Sequence, residues 1–395
     1  MKTYDQIVIG GGITGAALAY ELTKAGFSVL LLEQDATPQN ATRYSYGGLA
    51  YWSGTNDLTR QLCAEALARY PTLSTELDAD IEFRELDLLL TIPRDRHPQT
   101  VATSYKNFAI PPQLLSVKEA SELEPLLNQD AIAGALTVKH GHIHPRKTAQ
   151  AYIQAFKNAG GEMQITQTRL LKAGTQVTGV NTTNGIYHSK NVVVCAGGLS
   201  RQLLKVAGIS IPVYFTHAEI IEIPPVPIKL RTLVMPADTT RFQLEADASQ
   251  VDELWDQPGN EPLPPILDAG AIQFQDGSLR LGQISRVLTD PHADIDPVKS
   301  EQWLRHSVGQ ILPALNRPGT QHHCLVGFSR DRLPLIGAIP GWTGIQIFTG
   351  FSNPLVIIPP LAERFARAQT GHVDEILTQL EVNRFHEFAD PQAQL

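Results

Sequence analysis

Hydrophobic positions along this chain fall into two textures. At the start, in the middle and at the end, short apolar runs of strand length alternate with stretches of helical period. Between them the pattern turns β-rich and is punctuated by prolines. Residues 5–9 and 28–32 predict two buried strands, joined by a helix over residues 16–24 that stops at Gly26. Residues 55–70 read as a helix, with Leu58, Leu62 and Ala66 on one face and Pro71 marking its end. Short strands at residues 87–92 and 135–138 flank a polar helix at residues 117–123. An amphipathic helix over residues 148–159 stops at Gly160-Gly161, and strand candidates follow at 163–166, 176–181, 186–188 and 191–194. Residues 211–322 are the β-rich stretch, and the alternating texture returns with a strand at 344–348 and a helix from about residue 360 to 368.

The pattern implies one discontinuous nucleotide-binding domain made of residues 1–78, 141–210 and 323–395, with a β-rich domain of residues 79–140 and 211–322 inserted twice. A chain of 395 residues is also long for a single core.

The junction of the first strand and helix carries chemistry. Gly10-Gly11-Gly12-Ile13-Thr14-Gly15 is a G-x-G-x-x-G turn, and the second strand ends on Glu33, 18 residues after Gly15. Gly10 permits the tight turn, Gly12 lets a pyrophosphate approach bare backbone, and Gly15 lets helix and strand pack closely. The helix N-terminus offers unpaired N–H groups to phosphate, and Glu33 is placed to accept from ribose hydroxyls. Strand, turn, helix, strand and acid in register define a dinucleotide site that prefers a free ribose. A second apolar run, residues 191–194, breaks at Ala196-Gly197-Gly198, where bare backbone can lie against a ligand.

Charge and cysteine content narrow the classes. The net charge is −8 with no basic run, which speaks against nucleic acid or an anionic membrane as partner. Cys63, Cys195 and Cys324 lie far apart, which excludes a disulfide framework and fits a reducing, cytoplasmic compartment. No apolar run has the length of a bilayer span. His140, His142 and His144 alternate along one strand face, which reads as a partly exposed face and not as a metal site.

Taken together, these segments resemble the FAD-dependent D-amino-acid oxidase superfamily, the group of glycine oxidase, sarcosine oxidases and related amine dehydrogenases. The resemblance covers nearly the whole chain. Residues 42–49 (Thr-Arg-Tyr-Ser-Tyr-Gly-Gly-Leu) are similar to the family segment that touches pyrophosphate and flavin. Gly141 to Pro145 is similar to the turn before its middle helix, and residues 276–282 match a strand pair of its substrate domain. Residues 329–337 match the family's T-x-D-x-x-P-x-I-G, and residues 349–354 stand where it has a Gly-His turn beside the flavin.

The resemblance implies an α/β chain: a discontinuous Rossmann-like FAD-binding domain with an inserted, mainly antiparallel β substrate domain. It implies FAD held by Gly10, Gly12, Ile13, Thr14, Gly15, Glu33 and Gln34, then by Thr42, Arg43, Ser45, Gly47 and Gly48. Leu170, Ala196 and Gly197 would follow, and Gly350, Ser352, Asn353, Pro354 and Leu355 would close the flavin end. The activity implied is oxidation of the C–N bond of a small amine or N-substituted amino acid to an imine, with electrons passing to oxygen or another acceptor.

Two departures bear on substrate. Family members that grip a carboxylate carry an arginine five residues before the motif aspartate, where this chain has Val326 before Asp331, and Leu355 replaces a usual glycine. Arg280, Arg286 and Arg330 are therefore the candidate catalytic or carboxylate-binding cations, with Arg241 also in the β-rich insert. Tyr51, Trp52 and Phe351 are candidates for the substrate pocket, domain-interface packing being the other reading of the first two. Cys324, seven residues before Asp331, has the spacing of the cysteine that tethers flavin in monomeric sarcosine oxidase. It is a candidate covalent link that His323 could assist, or else a small packed hydrophobe. A nicotinamide-dependent dehydrogenase and a flavoprotein without turnover are the alternative functions.

Overall fold

The computed structural model describes residues 2–352 and 354–385. Two large sheets organise it. In the first, the strands run in the order Leu335–Ala338, Ile345–Thr349, Gly185–Val194, Lys2–Ile9, Val29–Glu33, Glu162–Ile165, with Thr168–Ala173 and Gln176–Thr182 attached beside Gly185–Val194. Its central pairs are parallel, and Ile7, Val8, Leu30, Leu31, Val192 and Val193 are buried on both faces, as a helix-covered parallel sheet demands. Helices Ile13–Lys24, Pro145–Asn158 and Pro354–Gln369 cover one face, with Asp57–Glu76 packed outside them.

The second sheet is antiparallel except where Leu233–Pro236 runs parallel to Arg84–Pro93. Its order is Thr320–Ser329, Val213–Ile223, Leu279–Val287, Leu263–Gln273, Leu233–Pro236, Arg84–Pro93, Ile132–His142 and Gly48–Leu49. The boundary expected at residue 323 therefore cuts a strand, because Thr320–Ser329 stays in this sheet to its end by pairing with Val213–Ile223. Likewise Gly48–Leu49, expected in the nucleotide-binding part, adds an edge to the second sheet.

Several elements differ from the sequence pattern, each for a local reason. The helix expected to end before Pro71 continues to Glu76. Pro71 and Leu67, whose carbonyl the proline leaves unbonded, lie on the exposed side where water serves, while Tyr70 and Leu73 keep the next turn buried. The strand candidates at 186–188 and 191–194 are one strand, Gly185–Val194. Inside the β-rich stretch stand two helices, Thr240–Ala248 and Pro297–Ile311. The second begins on a legible signal, Asp296 as N-cap accepting from Val298 and Lys299 N–H, with Pro297 at the first helical position. No described helix is long and apolar enough to cross a membrane.

Candidate active site

A cavity of about 680 Å³ runs from the end of Val29–Glu33, past the N-terminus of Ile13–Lys24, to the turn after Ile345–Thr349. This volume is within the usual range for a small-molecule or cofactor pocket. Of the residues singled out by sequence, Gly10, Gly12, Ile13, Thr14, Glu33, Gln34, Thr42 and Ser45 line it in the first half, and Leu170, Ala196, Gly197, Gly350, Phe351 and Leu355 in the second.

The turn is built from backbone fit. A Cβ on Gly15 would stand 1.9 Å from the Gly10 carbonyl oxygen, and one on Gly10 would stand 2.5 Å from that of Cys195. At Gly12 the only neighbours of a Cβ are Thr42 Oγ1 at 3.2 Å and Asn40 Nδ2 at 3.8 Å, so this glycine faces open cavity. Gly12 is the N-cap and brings no side chain, while the Thr42 hydroxyl accepts from Ile13 N–H at 3.0 Å. Glu33 is buried and accepts from Gly11 N–H at 2.7 Å and Gln34 N–H at 2.8 Å. Those bonds lock the acid at the strand end, with its remaining lone pairs available to ribose hydroxyls. The Ala196-Gly197-Gly198 turn is pressed against Thr320–Ser329, where a Cβ on Gly198 would meet Leu325 Cβ at 2.6 Å. These features fit a dinucleotide: bare backbone at the pyrophosphate position, an oriented acid beyond it, and an elongated cavity.

Other expected site residues serve the fold. Gly15 does so by helix packing. Gly47 and Gly48 lie against the Ile132–His142 strand and its following turn, where Cβ atoms would meet Ile143 O at 2.1 Å and His140 Nε2 at 2.5 Å. Arg43 turns from the cavity into a bidentate pair with Glu222 at 2.8 and 2.9 Å. Tyr51 and Trp52 are packed, not pocket-lining: the Tyr51 hydroxyl donates to Glu85 at 2.8 Å, and the Trp52 indole donates to His140 Nδ1 at 3.0 Å. Ser352 is buried beside the flavin-end turn, Pro354 begins the last long helix, and Asn353 lies outside the described residues.

The three arginines separate. Arg280 is fully buried; it donates to the Ser45 carbonyl, lies 3.7 Å from Glu222 Oε1 and stacks 4.4 Å over Phe274. Burial pulls its pKa down to about 10. Arg286 instead bonds Glu219 at 2.6 Å and sits over Trp303 of the Pro297–Ile311 helix, on the other face of the sheet. The two-residue period would put 280 and 286 on one face, but the pairing shifts between Glu219 and Ile220, and one extra residue reverses the alternation. Arg330 gathers with Tyr214, Asp252 and Phe385, while Asp331 is held by Arg384 at 2.8 and 2.9 Å. The Asp331 motif thus closes a structural turn.

Cys324 packs with Tyr44, Ala218 and Ile220, outside the cavity lining that Leu325, Val326 and Gly327 provide. Burial pushes its thiol up to about 12, and Arg280 is the cation that opposes this. His323 is exposed on the other face of the strand and stacks on His217, so it cannot assist the thiol. The histidine stripe is buried rather than partly exposed, and no cluster with metal-binding composition occurs among the described residues.

Sequence reasoning missed Asn40, Thr166, Arg169, Lys172 and Gln202 along the cavity. None carries a motif: Asn40 caps the helix Ala41–Tyr44, Thr166 follows the strand Glu162–Ile165, Arg169 and Lys172 arrive on the strand Thr168–Ala173 and Gln202 on the helix Ser200–Val206, so their approach is set by tertiary packing.

The chain belongs to the FAD-dependent oxidoreductase family, whose model matches residues 5–368. Its cofactor is FAD. Among relatives, it is 28% identical to glycine oxidase of Geobacillus kaustophilus over 369 residues, covering 91% of this chain and 90% of that one. It is 29% identical to 4-methylaminobutanoate oxidase (formaldehyde-forming) of Paenarthrobacter nicotinovorans over 216 residues, 53% of this chain but 26% of that protein. The crystal structure of the Geobacillus glycine oxidase superposes with a TM-score of 0.79, covering 97% of this chain and 99% of that one at 21% identity.

Proposed function

We propose that this FAD enzyme oxidises the C–N bond of a small amine or N-substituted amino acid to an imine, which water then hydrolyses. The observation that carries the reading is the single cavity that joins the Glu33-terminated nucleotide turn to an end walled by Val326, Phe351 and Leu355. Glycine and 4-methylaminobutanoate, named for the two relatives, both have a C–N bond next to a C–H bond. When bound, FAD supplies the acceptor for the hydride, which carries both electrons.

The chain's own part is positioning and field. The apolar walls at Val326, Phe351 and Leu355 exclude water. Arg280 stays cationic at neutral pH, and its charge disfavours protonation of an amine nearby. Of the candidate arginines it has the best claim to act at the flavin end, since Arg286 and Arg330 are engaged elsewhere. Electrons pass on to oxygen or to another acceptor. We place the enzyme in the cytoplasm, where its three free cysteines would remain reduced.

Anaerobic mixing of the yellow purified protein with a panel of primary and N-methyl amines and amino acids tests the proposal. Bleaching of the flavin bands with formation of a carbonyl product is the expected result. A panel that leaves the flavin oxidised throughout would favour a flavoprotein without turnover.

A further inference from the structure

Arg280 reaches the cavity wall by direct contact. Its buried guanidinium donates from Nη1 to the carbonyl of Ser45, a residue that lines the cavity. The next residue, Tyr46, donates its phenol to the Gly282 carbonyl at 2.6 Å. This stretch of wall is therefore pinned twice to the strand Leu279–Val287. The rest of the guanidinium is poorly matched. Nε has no hydrogen-bond partner, and the group lies 4.4 Å over the Phe274 ring. The facing carboxylate, Glu222, stays 3.7 Å from Nη2 while Arg43 takes both its oxygens at 2.8 and 2.9 Å.

Two guanidiniums thus share one carboxylate, and the outer one holds the bidentate geometry that suits the pair best. The Arg43 side chain is 21% exposed and that of Arg280 3%, so water can help Arg43 but not Arg280. Buried charges are ordinarily paired and fully bonded. Here the better-bonded cation is the one that needs it less. Arg146 adds further positive charge to the surroundings of Arg280, in a chain whose net charge is −8. The inner cation is left short of a counterion beside the cavity wall.

We propose that Arg43 and Glu222 are positioning residues that set the charge Arg280 presents to the flavin end. By holding both Glu222 oxygens, Arg43 keeps the buried guanidinium under-compensated and able to balance the negative charge that a hydride brings to the flavin. This rests on the placing of Arg280 at the flavin end proposed above. Arg43 turns away from the cavity, so it acts on the reaction without touching it.

The test needs no substrate. The holoenzyme is held at about pH 7.5, where His322, 3.6 Å from Glu222, is neutral. It is reduced anaerobically by a chemical reductant beside a reference dye, and the ratio of reduced to oxidised flavin is read at a fixed dye potential. Each variant is checked for flavin content. Glu222→Gln removes the anion and should raise that ratio about tenfold, a shift of about 30 mV for a two-electron couple. Arg43→Met releases Glu222 to close on Arg280 and should lower the ratio by a similar factor. Arg43→Lys, with one nitrogen in place of the fork, should lower it less. In the Glu222→Gln background Arg43→Met should have a smaller effect, since no carboxylate is left to move. Opposite signs separate this role from a structural staple, whose loss from either side would be felt alike. Ratios that move the same way in Glu222→Gln and Arg43→Met, or keep the native value in both, overturn the proposal. Arg280→Met separates the two levels. An unchanged ratio there removes Arg280 from the flavin end and breaks the earlier reading together with this one. A fall in Arg280→Met, with Glu222→Gln and Arg43→Met both silent, breaks this inference alone.

Discussion

At the nucleotide end of the cavity, the contacts come largely from backbone and from one short stretch of chain. Gly10 to Gly15, Glu33 and Thr42 supply the turn, the acid and the hydroxyl. At the flavin end the surroundings come from segments hundreds of residues apart: Ser45 with Arg280 on its carbonyl, Leu325 to Gly327, and Gly350, Phe351 and Leu355. A backbone-built end depends on a few glycines and resists most substitutions. A side-chain-built end can be retuned by single exchanges, as Val326 illustrates, and its charges respond to their surroundings.

The largest effect should separate two glycines of one motif. Gly15→Val drives a side chain into the Gly10 carbonyl and should yield no folded protein. Gly12→Val meets only Thr42 and Asn40, so the chain should fold but repel the pyrophosphate. We expect FAD affinity to fall by about 3 kcal/mol, roughly a hundredfold. The ratio of flavin to protein absorbance and a circular-dichroism melt check both. A Gly12→Val protein that purifies fully yellow would mean that the cofactor does not approach the chain there.

The same contrast explains what the sequence made legible. The nucleotide end was readable because its parts are local and each residue type has one physical use: glycine for close approach, an acid ending a strand. The Asp331 segment was readable as a motif, but its role as a turn tied to Arg384 depends on a residue 53 positions away. Arg286 misled because alternation along Leu279–Val287 is broken by a register shift that no residue type announces. Arg43 looked like a phosphate ligand, but its partner Glu222 lies on another sheet strand.

An intermediate effect should appear with pH, in the strand Ile132–His142 behind Gly48. Gly48 rests against His140, whose Nδ1 accepts from Trp52 and whose pKa burial lowers from 6.5 to about 3. Burial and the nearby Arg84 lower that of His142 as well. Between these limits the unfolded chain binds protons that the folded protein refuses, so stability is full above pH 6.5 and lost as pH falls toward 3. At pH 5 His140 alone should cost about 2 kcal/mol. Thermal melts at pH 7 and pH 5 should show the drop, and His140→Gln should flatten it. Equal melts at both values would mean that this ring binds its proton in the folded protein as readily as in the unfolded chain.

The smallest effect concerns Cys324, where the spacing of a covalent tether meets a packing environment. The thiol lies among Tyr44, Ala218 and Ile220, and burial pushes it up to about 12, so at neutral pH almost none is thiolate. Attack on a flavin carbon needs the thiolate. Arg280 works in the tether's favour by lowering the thiol pKa, but burial outweighs it. Cys324 is also absent from the cavity lining, which the strand supplies through Leu325, Val326 and Gly327. We therefore expect acid precipitation to leave the yellow colour in the supernatant, for the native protein and for Cys324→Ala alike, with a change in melting stability of about 1 kcal/mol from the lost packing. A yellow pellet from the native protein and a colourless one from Cys324→Ala would reverse this. The strand would then have to present its cysteine to the flavin, and the flavin end would be anchored by a covalent bond that the nucleotide end lacks.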